Sequence, residues 1–269
     1  MLAEDADPEL AAEKLIHPQF PRSAAYDAVW QGRFAMGPNP LWLTESLAEL
    51  LDLAPGMRVL DLGCGWATSA IFLAKEFGVH VVAADYGLPP EMTWPLIVEA
   101  GVQDRVMPIM AEAHDLRFAH GYFDVIISID AYQYFGTDDL YTGYIQRFLA
   151  PGGVLAIVPL GLAEELGGDV PEHLADAWKW DFHAFHSPDW WSAHLGRSGF
   201  FDVEHADLLP DGWKHWMRWH ELGAQAADPQ WREFCADWVR RFTLDQGRTL
   251  GLPRVVARKR PDAGGRRAA

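Results

Sequence analysis

The chain contains little cysteine: only Cys64 and Cys235 occur in 269 residues, and they lie far apart in the sequence. Neither belongs to a CxxC pair or to the Cys/His spacing of a zinc site, and two cysteines so placed do not form a disulfide framework. We therefore predict no bound metal and a reducing, cytoplasmic environment.

Basic residues are also scarce. The 22 lysines and arginines are outnumbered by 38 aspartates and glutamates, which gives a formal net charge of −16. Because proteins bind nucleic-acid phosphates through basic faces, this charge argues against a nucleic-acid partner. The basic cluster from Arg258 to Arg267 is predicted to be solvated, with a flexible tail over residues 261–269.

Long apolar runs are absent. No stretch approaches the roughly 20 apolar residues that a membrane-spanning helix needs. The acidic N-terminus, MLAEDADPELAAEK, has neither the basic start nor the apolar segment of a secretory signal. With 49% hydrophobic and 22% charged residues, the composition is typical of a globular protein. We predict one domain over residues 1–269 and no membrane partner.

Short Val- and Ile-rich runs alternate with helical segments from residue 56 onward. The predicted strands are RVLDL, VHVVAAD, RVMPIMAEA, FDVIISID and GGVLAIVP, followed by two more near the C-terminus. Buried strands separated by helices indicate a parallel sheet with both faces covered. The predicted fold class is α/β, a Rossmann-like, seven-stranded, mostly parallel sheet with helices on both faces.

The single domain divides into segments with different predicted roles. Residues 1–55 are predicted to form an N-terminal helical lid, in which Thr44 caps a helix that stops at Pro55. The remaining segments are the cofactor-binding core (56–160), a capping insertion and helix (161–198), the final strands and helix (199–260) and the tail (261–269).

A glycine-containing turn, Gly63-Cys64-Gly65, joins the first predicted strand to a helix, and glycine allows a ligand to approach the backbone closely. Asp85 closes the next strand, where an acidic residue can accept both hydroxyls of an adenosine ribose. A dinucleotide is the competing ligand, but its GxGxxG motif requires a third glycine, and this turn has none after Gly65. The pattern favours a different adenosine ligand.

In four blocks the chain resembles the class I S-adenosylmethionine-dependent methyltransferases: VLDLGCGWATSAIFLAKEFG, VVAAD, AEAHDLRF with GYFDVIIS, and FLAPGGVLAI. It is also similar to a bacterial small-molecule methyltransferase group related to cyclopropane-fatty-acid-synthase-like proteins, through FPRSAAYD-, MGPNPLWLTE- and GTDDLY-like stretches. The resemblance implies S-adenosyl-L-methionine as cofactor and methyl transfer to an oxygen, nitrogen or sulfur of a small molecule.

The resemblance also implies ten cofactor-binding positions. They are Asp61, Gly63, Cys64 and Gly65 around the methionine part, Asp85 and Tyr86 at the ribose, Glu112 and Ala113 at the adenine, and Ile129 and Asp130 near the methionine amino group and the transferring methyl. Ala67 stands where the family has a third glycine, so the turn must accommodate a Cβ there.

The methyl acceptor is expected above the carboxyl ends of the strands, between the N-terminal segment, residues 130–135 and the insertion. The candidate acceptor-binding residues are Tyr26, Tyr132, Tyr134, Trp190 and Trp216. The candidate catalytic residues are His186, His183, Tyr134 and Tyr26, with the histidines favoured because imidazole titrates near neutral pH. A packing role is the alternative for each.

Two other functions stay open at this point: a non-methyl use of the cofactor, such as intramolecular cyclisation, and a non-catalytic cofactor-binding module. The cyclopropane synthases of the resemblance carry a bicarbonate-holding glutamate and cysteine. The glutamate and the cysteine cannot be placed together in this sequence, and this disfavours lipid cyclopropanation. The expected partner is a small-molecule substrate, and a homodimer is left open.

Overall fold

The computed structural model describes residues 7–33 and 36–261. Its centre is a sheet of seven strands. In spatial order these are β3 (Val106–Met110), β2 (His80–Asp85), β1 (Arg58–Leu62), β4 (Phe123–Ile129), β5 (Leu149–Val158), β9 (Pro253–Lys259) and β7 (Phe201–Leu208). Strand β9 runs antiparallel to both of its neighbours, and the other pairings are parallel. The predicted mostly parallel, seven-stranded Rossmann-like sheet is confirmed.

Helices cover both faces of this sheet. They are α1 (Pro8–Leu15), α2 (Ala28–Arg33), α3 (Pro40–Ala48), α4 (Thr68–Phe77), α5 (Pro90–Glu99), α6 (Tyr141–Ile145), α7 (Pro188–Arg197), α8 (Gly212–Gly223) and α9 (Pro229–Asp245). In the described part of the chain, no helix has both the length and the apolar character needed to cross a membrane.

Alternate residues of the strands enter two separate apolar cores. Val59 and Val81 belong to the larger core, under helices α3, α4, α8 and α9, whereas Leu60 and Val82 belong to the smaller core, under α6 and α7. Because successive strand residues point to opposite faces, a strand buried on both faces is apolar throughout. This explains the unbroken Val- and Ile-rich runs of the sequence.

Helix α3 corrects one sequence-based prediction. The helix begins four residues before Thr44, because Asn39 is its N-cap and accepts the backbone N–H of Leu41 at 3.0 Å. Thr44 lies inside the helix and donates its hydroxyl to the Pro40 carbonyl. An asparagine followed by proline at the first helical position is a strong helix start, and it outweighs a threonine further on.

The insertion after β5 is made of short elements. A two-residue strand β6 (Gly161–Leu162) pairs with β8 (Leu250–Gly251), and two short helical turns follow at Glu172–Ala177 and Trp180–Ala184. Helix α9 packs against the first of these turns. The insertion therefore starts at the carboxyl end of β5 and is held by β8 and α9. The predicted C-terminal tail lies outside the described residues from 262 onward.

Candidate cofactor and acceptor site

The turn after β1 is built for close approach of backbone to a ligand. Gly63 and Gly65 have φ angles of 76° and 52°, in the left-handed region that favours glycine. A Cβ on Gly63 would also collide with the side chain of Ala131, which follows β4. Ala67, in the place of the family's third glycine, adopts φ 61° and is fully buried, so the turn accommodates its Cβ in a conformation that disfavours one.

Asp85, at the end of β2, ties this turn to the next loop. One carboxylate oxygen accepts the Gly65 backbone N–H at 2.8 Å, and the other accepts those of Gly87 and Leu88 at 2.8 and 2.9 Å. Each carboxylate oxygen has two lone pairs, so acceptor capacity is left for a ligand hydroxyl. The turn and the predicted ribose-binding residue are therefore brought together.

A cavity of about 210 Å³ opens above the turn. Its floor comes from the ends of β1, β2 and β4, and its roof from the segment 36–40, which precedes α3. Seven residues singled out in the sequence line it: Gly63, Cys64, Gly65, Asp85, Ile129, Asp130 and Tyr134. The carboxyl ends of parallel strands at a switch in strand order are where open α/β sheets bind ligands.

Asp61 lies below the cavity rather than in its lining. It is fully buried and accepts the Ser69 hydroxyl at 2.5 Å, while its Oδ1 atom has no hydrogen-bond partner among the described residues. Burial, reinforced by the negative charge of Asp85, raises the pKa of Asp61 to about 7. A buried carboxylate with an unpaired oxygen is stabilised by a nearby positive charge or N–H donor.

Asp130, directly after β4, adopts φ 54°. The Gln133 amide donates to its carboxylate at 3.2 Å, and burial raises the pKa of Asp130 to about 7. Gly37 of the roof packs so closely that any Cβ there would overlap this carboxylate. A buried carboxylic acid on a strained backbone, at the end of a strand, is a common feature of functional sites.

The thiol of Cys64 faces the cavity but is not poised as a nucleophile. Burial, together with the charges of Asp61 and Asp85, raises its pKa well above the usual value. Since the thiolate is the reactive form, this thiol stays protonated and unreactive at neutral pH. Cys235 is also free and buried.

Besides Asp61, three further predicted cofactor residues lie outside the cavity lining. Tyr86 is 71% exposed, Glu112 is exposed and pairs with His114, and Ala113 is buried below the surface. They nevertheless follow β2 and β3, which are joined at their ends by a hydrogen bond from the Ala111 N–H to the Asp85 carbonyl. These residues therefore lie along the same edge of the sheet as Asp85.

The tyrosines separate into different environments. Tyr134 lines the cavity and is 60% exposed, whereas Tyr132 is fully buried in the smaller core against Trp191. Tyr26 donates its hydroxyl to Glu76 at 3.0 Å, in a different groove alongside α4. Of the three tyrosines, only Tyr134 lies at the cavity.

The histidine and tryptophan candidates also lie away from the cavity lining. His186 contacts Glu165 at 3.2 Å and stacks on Trp190 with a ring separation of 3.6 Å, while His183 is exposed on its helical turn. Trp216 is buried and donates its indole N–H to His220 at 3.0 Å, inside the larger core. Trp216 thus packs the core in this structure.

Sequence reasoning missed three residues that line the cavity or interact with residues lining it. Gly37 belongs to a stretch that carries the family resemblance but was given no role, and Gln133, which lies between two tyrosines, was not selected. Asp181, in the insertion, was also overlooked, although its negative charge acts on the Tyr134 hydroxyl. The MGPNP stretch offered a signal, because two prolines and a glycine predict a rigid turn. Nothing local marked Asp181.

Known proteins are similar to this chain in sequence. Residues 44–166 match the family described as mycolic acid cyclopropane synthetase. The O-methyltransferase rstn1 of Aspergillus nomiae is 31% identical over 175 residues, which cover 62% of this chain and 74% of that one. Methyltransferase GfsG of Streptomyces halstedii is 34% identical over 119 residues, 44% of this chain and 43% of the relative, so this match spans less than half of GfsG.

Solved structures share the fold. Phosphoethanolamine N-methyltransferase 2 of Haemonchus contortus, in complex with phosphomonomethylethanolamine and S-adenosylhomocysteine, superposes with a TM-score of 0.71 at 18% identity, covering 93% of this chain and 60% of that one. The [4+2]-cyclase SpnF superposes with a TM-score of 0.66 at 19% identity, covering 84% of each chain. Taken with the sequence matches, the glycine turn and Asp85, the chain belongs to the class I S-adenosylmethionine-dependent methyltransferases, a family whose cofactor is S-adenosylmethionine.

Proposed function

We propose that this chain transfers the methyl group of S-adenosylmethionine to an oxygen, nitrogen or sulfur atom of a small molecule. The observation that carries the proposal is the meeting of the Gly63–Gly65 turn, Asp85 and Asp130 around one cavity at the carboxyl ends of β1, β2 and β4. The relatives named as methyltransferases support the reaction class.

The residues present fit this cofactor. Asp85 has acceptor capacity left for one ribose hydroxyl, and the glycine turn leaves room for the methionine part. The unpaired Oδ1 of Asp61 and the carboxylate of Asp130 provide negative charge near the positively charged sulfonium and ammonium groups. We place the adenine beyond Asp85, along the edge formed by Tyr86, Glu112 and Ala113.

The acceptor is proposed to enter at the Asp130 end of the cavity, beside Tyr134. The cofactor supplies an electrophilic methyl group, and the protein contributes mainly by holding the acceptor in line with it, an effect worth up to about 7–11 kcal/mol. The cavity of about 210 Å³ is smaller than the roughly 300–1,000 Å³ typical of ligand sites. We place the adenine outside this volume, along the sheet edge, so the cavity holds only the methionine part of the cofactor and the acceptor.

The small cavity supports a small acceptor over a lipid chain. A cytoplasmic location is part of the same proposal, supported by the two free, buried cysteines, which need no oxidising compartment. A homodimer is an assembly that this proposal neither requires nor uses.

The test is isothermal titration of the protein with S-adenosylmethionine and S-adenosylhomocysteine, with nicotinamide adenine dinucleotide as the control ligand. Micromolar binding of the two adenosyl ligands alone is expected. Tighter binding of the dinucleotide would overturn the cofactor assignment.

A second experiment separates the reaction classes. The protein is incubated with methyl-labelled cofactor and a metabolite extract, and products are separated by mass. A labelled methylated product supports the proposal, whereas release of methylthioadenosine would indicate cyclisation. Cofactor binding with no product of either kind would indicate a non-catalytic module.

A further inference from the structure

A second groove lies at the opposite end of the sheet from the cofactor cavity. It has a volume of about 410 Å³ and is formed where β1, β2, β3 and β4 begin, together with the loop 103–105. The groove shares no lining residue with the cavity at the carboxyl ends of the strands. Its volume falls within the roughly 300–1,000 Å³ typical of ligand sites. The groove is therefore large enough to bind a ligand of its own.

Three basic side chains form a row across this groove. Arg58 and His80 are the first residues of β1 and β2, and they are partners in the parallel register. Arg105 directly precedes Val106, whose partner on β2 is Val81, so Arg105 takes the next place in the same row. Neighbouring strands lie only about 4.8 Å apart, and like charges at neighbouring positions of a sheet repel each other. An anion bound across the row would relieve this repulsion.

The two arginines of the row have unused hydrogen-bond donors. Nε of Arg58 lies 3.6 Å from Oδ2 of Asp124, and Nη2 of Arg105 lies 3.8 Å from Oδ2 of Asp104, both beyond hydrogen-bond distance. Neither guanidinium donates a hydrogen bond within the described part of the chain, whereas most other arginines described there do so. Because a guanidinium carries five N–H donors, the row can bind several oxygen atoms of a ligand.

An apolar surface lies next to these charges. The Arg58 guanidinium is 4.8 Å from the centroid of the Tyr122 ring, and 40% of Tyr122 is exposed. Met107, on β3, is 55% exposed and lines the same groove. Aromatic rings and the thioether of methionine both pack well against flat apolar groups. The groove thus combines anion-binding donors with a surface for the apolar part of a ligand.

The charge of the groove selects the sign of the ligand. Asp104 is the one acid among the described residues that line it, and Arg58 and Arg105 outweigh it. A cation would be repelled, and a neutral molecule would leave the neighbouring positive charges uncompensated. Carboxylates and phosphates are the groups that arginine binds through two parallel hydrogen bonds. The complement of the groove is therefore an oxyanion.

We propose that this groove is a second binding site, for a small molecule that carries a carboxylate or phosphate on a flat, apolar body. Arg58 and Arg105 bind the oxyanion, with a further N–H from His80, and the body packs on Tyr122 and Met107. Since the groove lies at the amino ends of the strands and the cofactor cavity at their carboxyl ends, both sites can be occupied at once.

The test compares probes that share one ring: phenyl phosphate, benzoate and benzyl alcohol. Each is titrated into the full chain at pH 7.5, and affinity is measured by ligand-observed NMR. We expect at least one of the two anions to bind tenfold or more tightly than the alcohol, and the tighter anion identifies the head group. Inorganic phosphate and acetate, which have the same heads without a ring, should bind at least fivefold more weakly. No preference for either anion overturns the site, and equal binding without the ring overturns the role of Tyr122 and Met107.

Matched variants locate the bound anion. Arg105→Gln and Arg58→Gln are each expected to weaken binding of the preferred anion roughly tenfold, because each removes a charge-assisted contact. Arg147→Gln is the control, since Arg147 also lies over a tyrosine ring, that of Tyr144 at 5.8 Å, but does not line the groove. It should change the affinity less than twofold. Unchanged affinity in both groove variants, or equal weakening in Arg147→Gln, overturns the assignment.

Saturation with S-adenosylhomocysteine separates this groove from the cofactor cavity. Affinity for the preferred anion should stay within twofold when the cavity is filled, and the groove variants should bind S-adenosylhomocysteine as the wild type does. Displacement of the anion by S-adenosylhomocysteine would place the probe in the cofactor cavity and overturn the proposal. If the wild-type protein binds the anion but not S-adenosylhomocysteine, the proposed function fails and the second site stands.

Discussion

Asp85 combines two roles that one substitution can measure. Its carboxylate accepts the backbone N–H groups of Gly65, Gly87 and Leu88 and is proposed to accept one ribose hydroxyl of the cofactor. A hydrogen bond to a charged group is worth about 1.5–3 kcal/mol, but those of Gly87 and Leu88 lie at or near the surface and count for less. Asp85→Ala is therefore expected to lower the free energy of unfolding by about 2–4 kcal/mol, a fall in melting temperature of roughly 5–15 °C.

The effect on ligand affinity is a separate quantity. Three of the four lone-pair sites of the carboxylate already accept backbone N–H groups, so one charge-assisted hydrogen bond to the ribose remains, worth about 1.5–3 kcal/mol, or roughly a 10- to 10²-fold loss of affinity for S-adenosylhomocysteine. Isothermal titration measures the affinity, and urea unfolding followed by tryptophan fluorescence measures the stability. Asp104→Ala, which removes an exposed aspartate from the loop before β3, is the control and should change neither quantity appreciably.

Asp85→Asn separates the two roles. The amide keeps one oxygen to accept the N–H groups of Gly87 and Leu88, but it loses the charge and turns a donor towards Gly65 or the ribose. It should cost less stability than alanine and nearly as much affinity. If Asp85→Ala destabilises the protein but binds S-adenosylhomocysteine within threefold of the wild type, Asp85 only anchors the turn and the ribose assignment is wrong.

Three further substitutions test other parts of the structure. His220 is buried and its pKa is lowered to about 3 by burial, so the unfolded chain takes up a proton that the folded chain does not as pH falls from about 6.5 towards 3. The free energy of unfolding should fall by several kcal/mol over this pH range. Urea titrations of His220→Gln should show a weaker dependence of this free energy on pH, and an unchanged dependence would exclude His220 as a cause. The Arg254 side chain donates hydrogen bonds to Asp207 and to the Ser46 carbonyl. Arg254→Leu should therefore lower the free energy of unfolding by about 2–3 kcal/mol, and by less in a protein whose Asp207 is already replaced. If the losses of the two single substitutions simply add in the double variant, Arg254 and Asp207 are not coupled. Tyr26→Phe should cost about 1 kcal/mol of stability through the lost bond to Glu76 and leave methyl transfer unchanged; slower transfer without loss of cofactor binding would restore Tyr26 as a lid residue.

Local patterns carried the prediction of the sheet and the cofactor turn. The strand RVLDL, the turn at Gly63 and the acid at Asp85 are adjacent in sequence or separated by one helix, so the right-handed crossover of a parallel sheet places them together without further information. Helix boundaries were less certain, as α3 shows, because Thr44 and Asn39 are both acceptable N-caps and Pro40 decided between them.

The acceptor side was predicted less well, for a physical reason. Tyr26, Tyr132, Tyr134 and Trp216 are all aromatic, and aromatic side chains fill cores as readily as they line pockets. Whether each one faces ligand or core depends on the direction of its side chain after packing, which places Tyr132 against Trp191 and Tyr26 against Glu76. Residue type alone does not distinguish these outcomes.

The sequence by itself determined the alternation of strands and helices along the chain, the glycine turn with its acid on the next strand, and hence the family and the cofactor, because these features depend on neighbours along the chain. Only the tertiary structure brought Gly37 onto Asp130 and the charge of Asp181 to bear on Tyr134. Those contacts join segments dozens of residues apart, and their distances depend on how the loops fold over the sheet rather than on any local pattern.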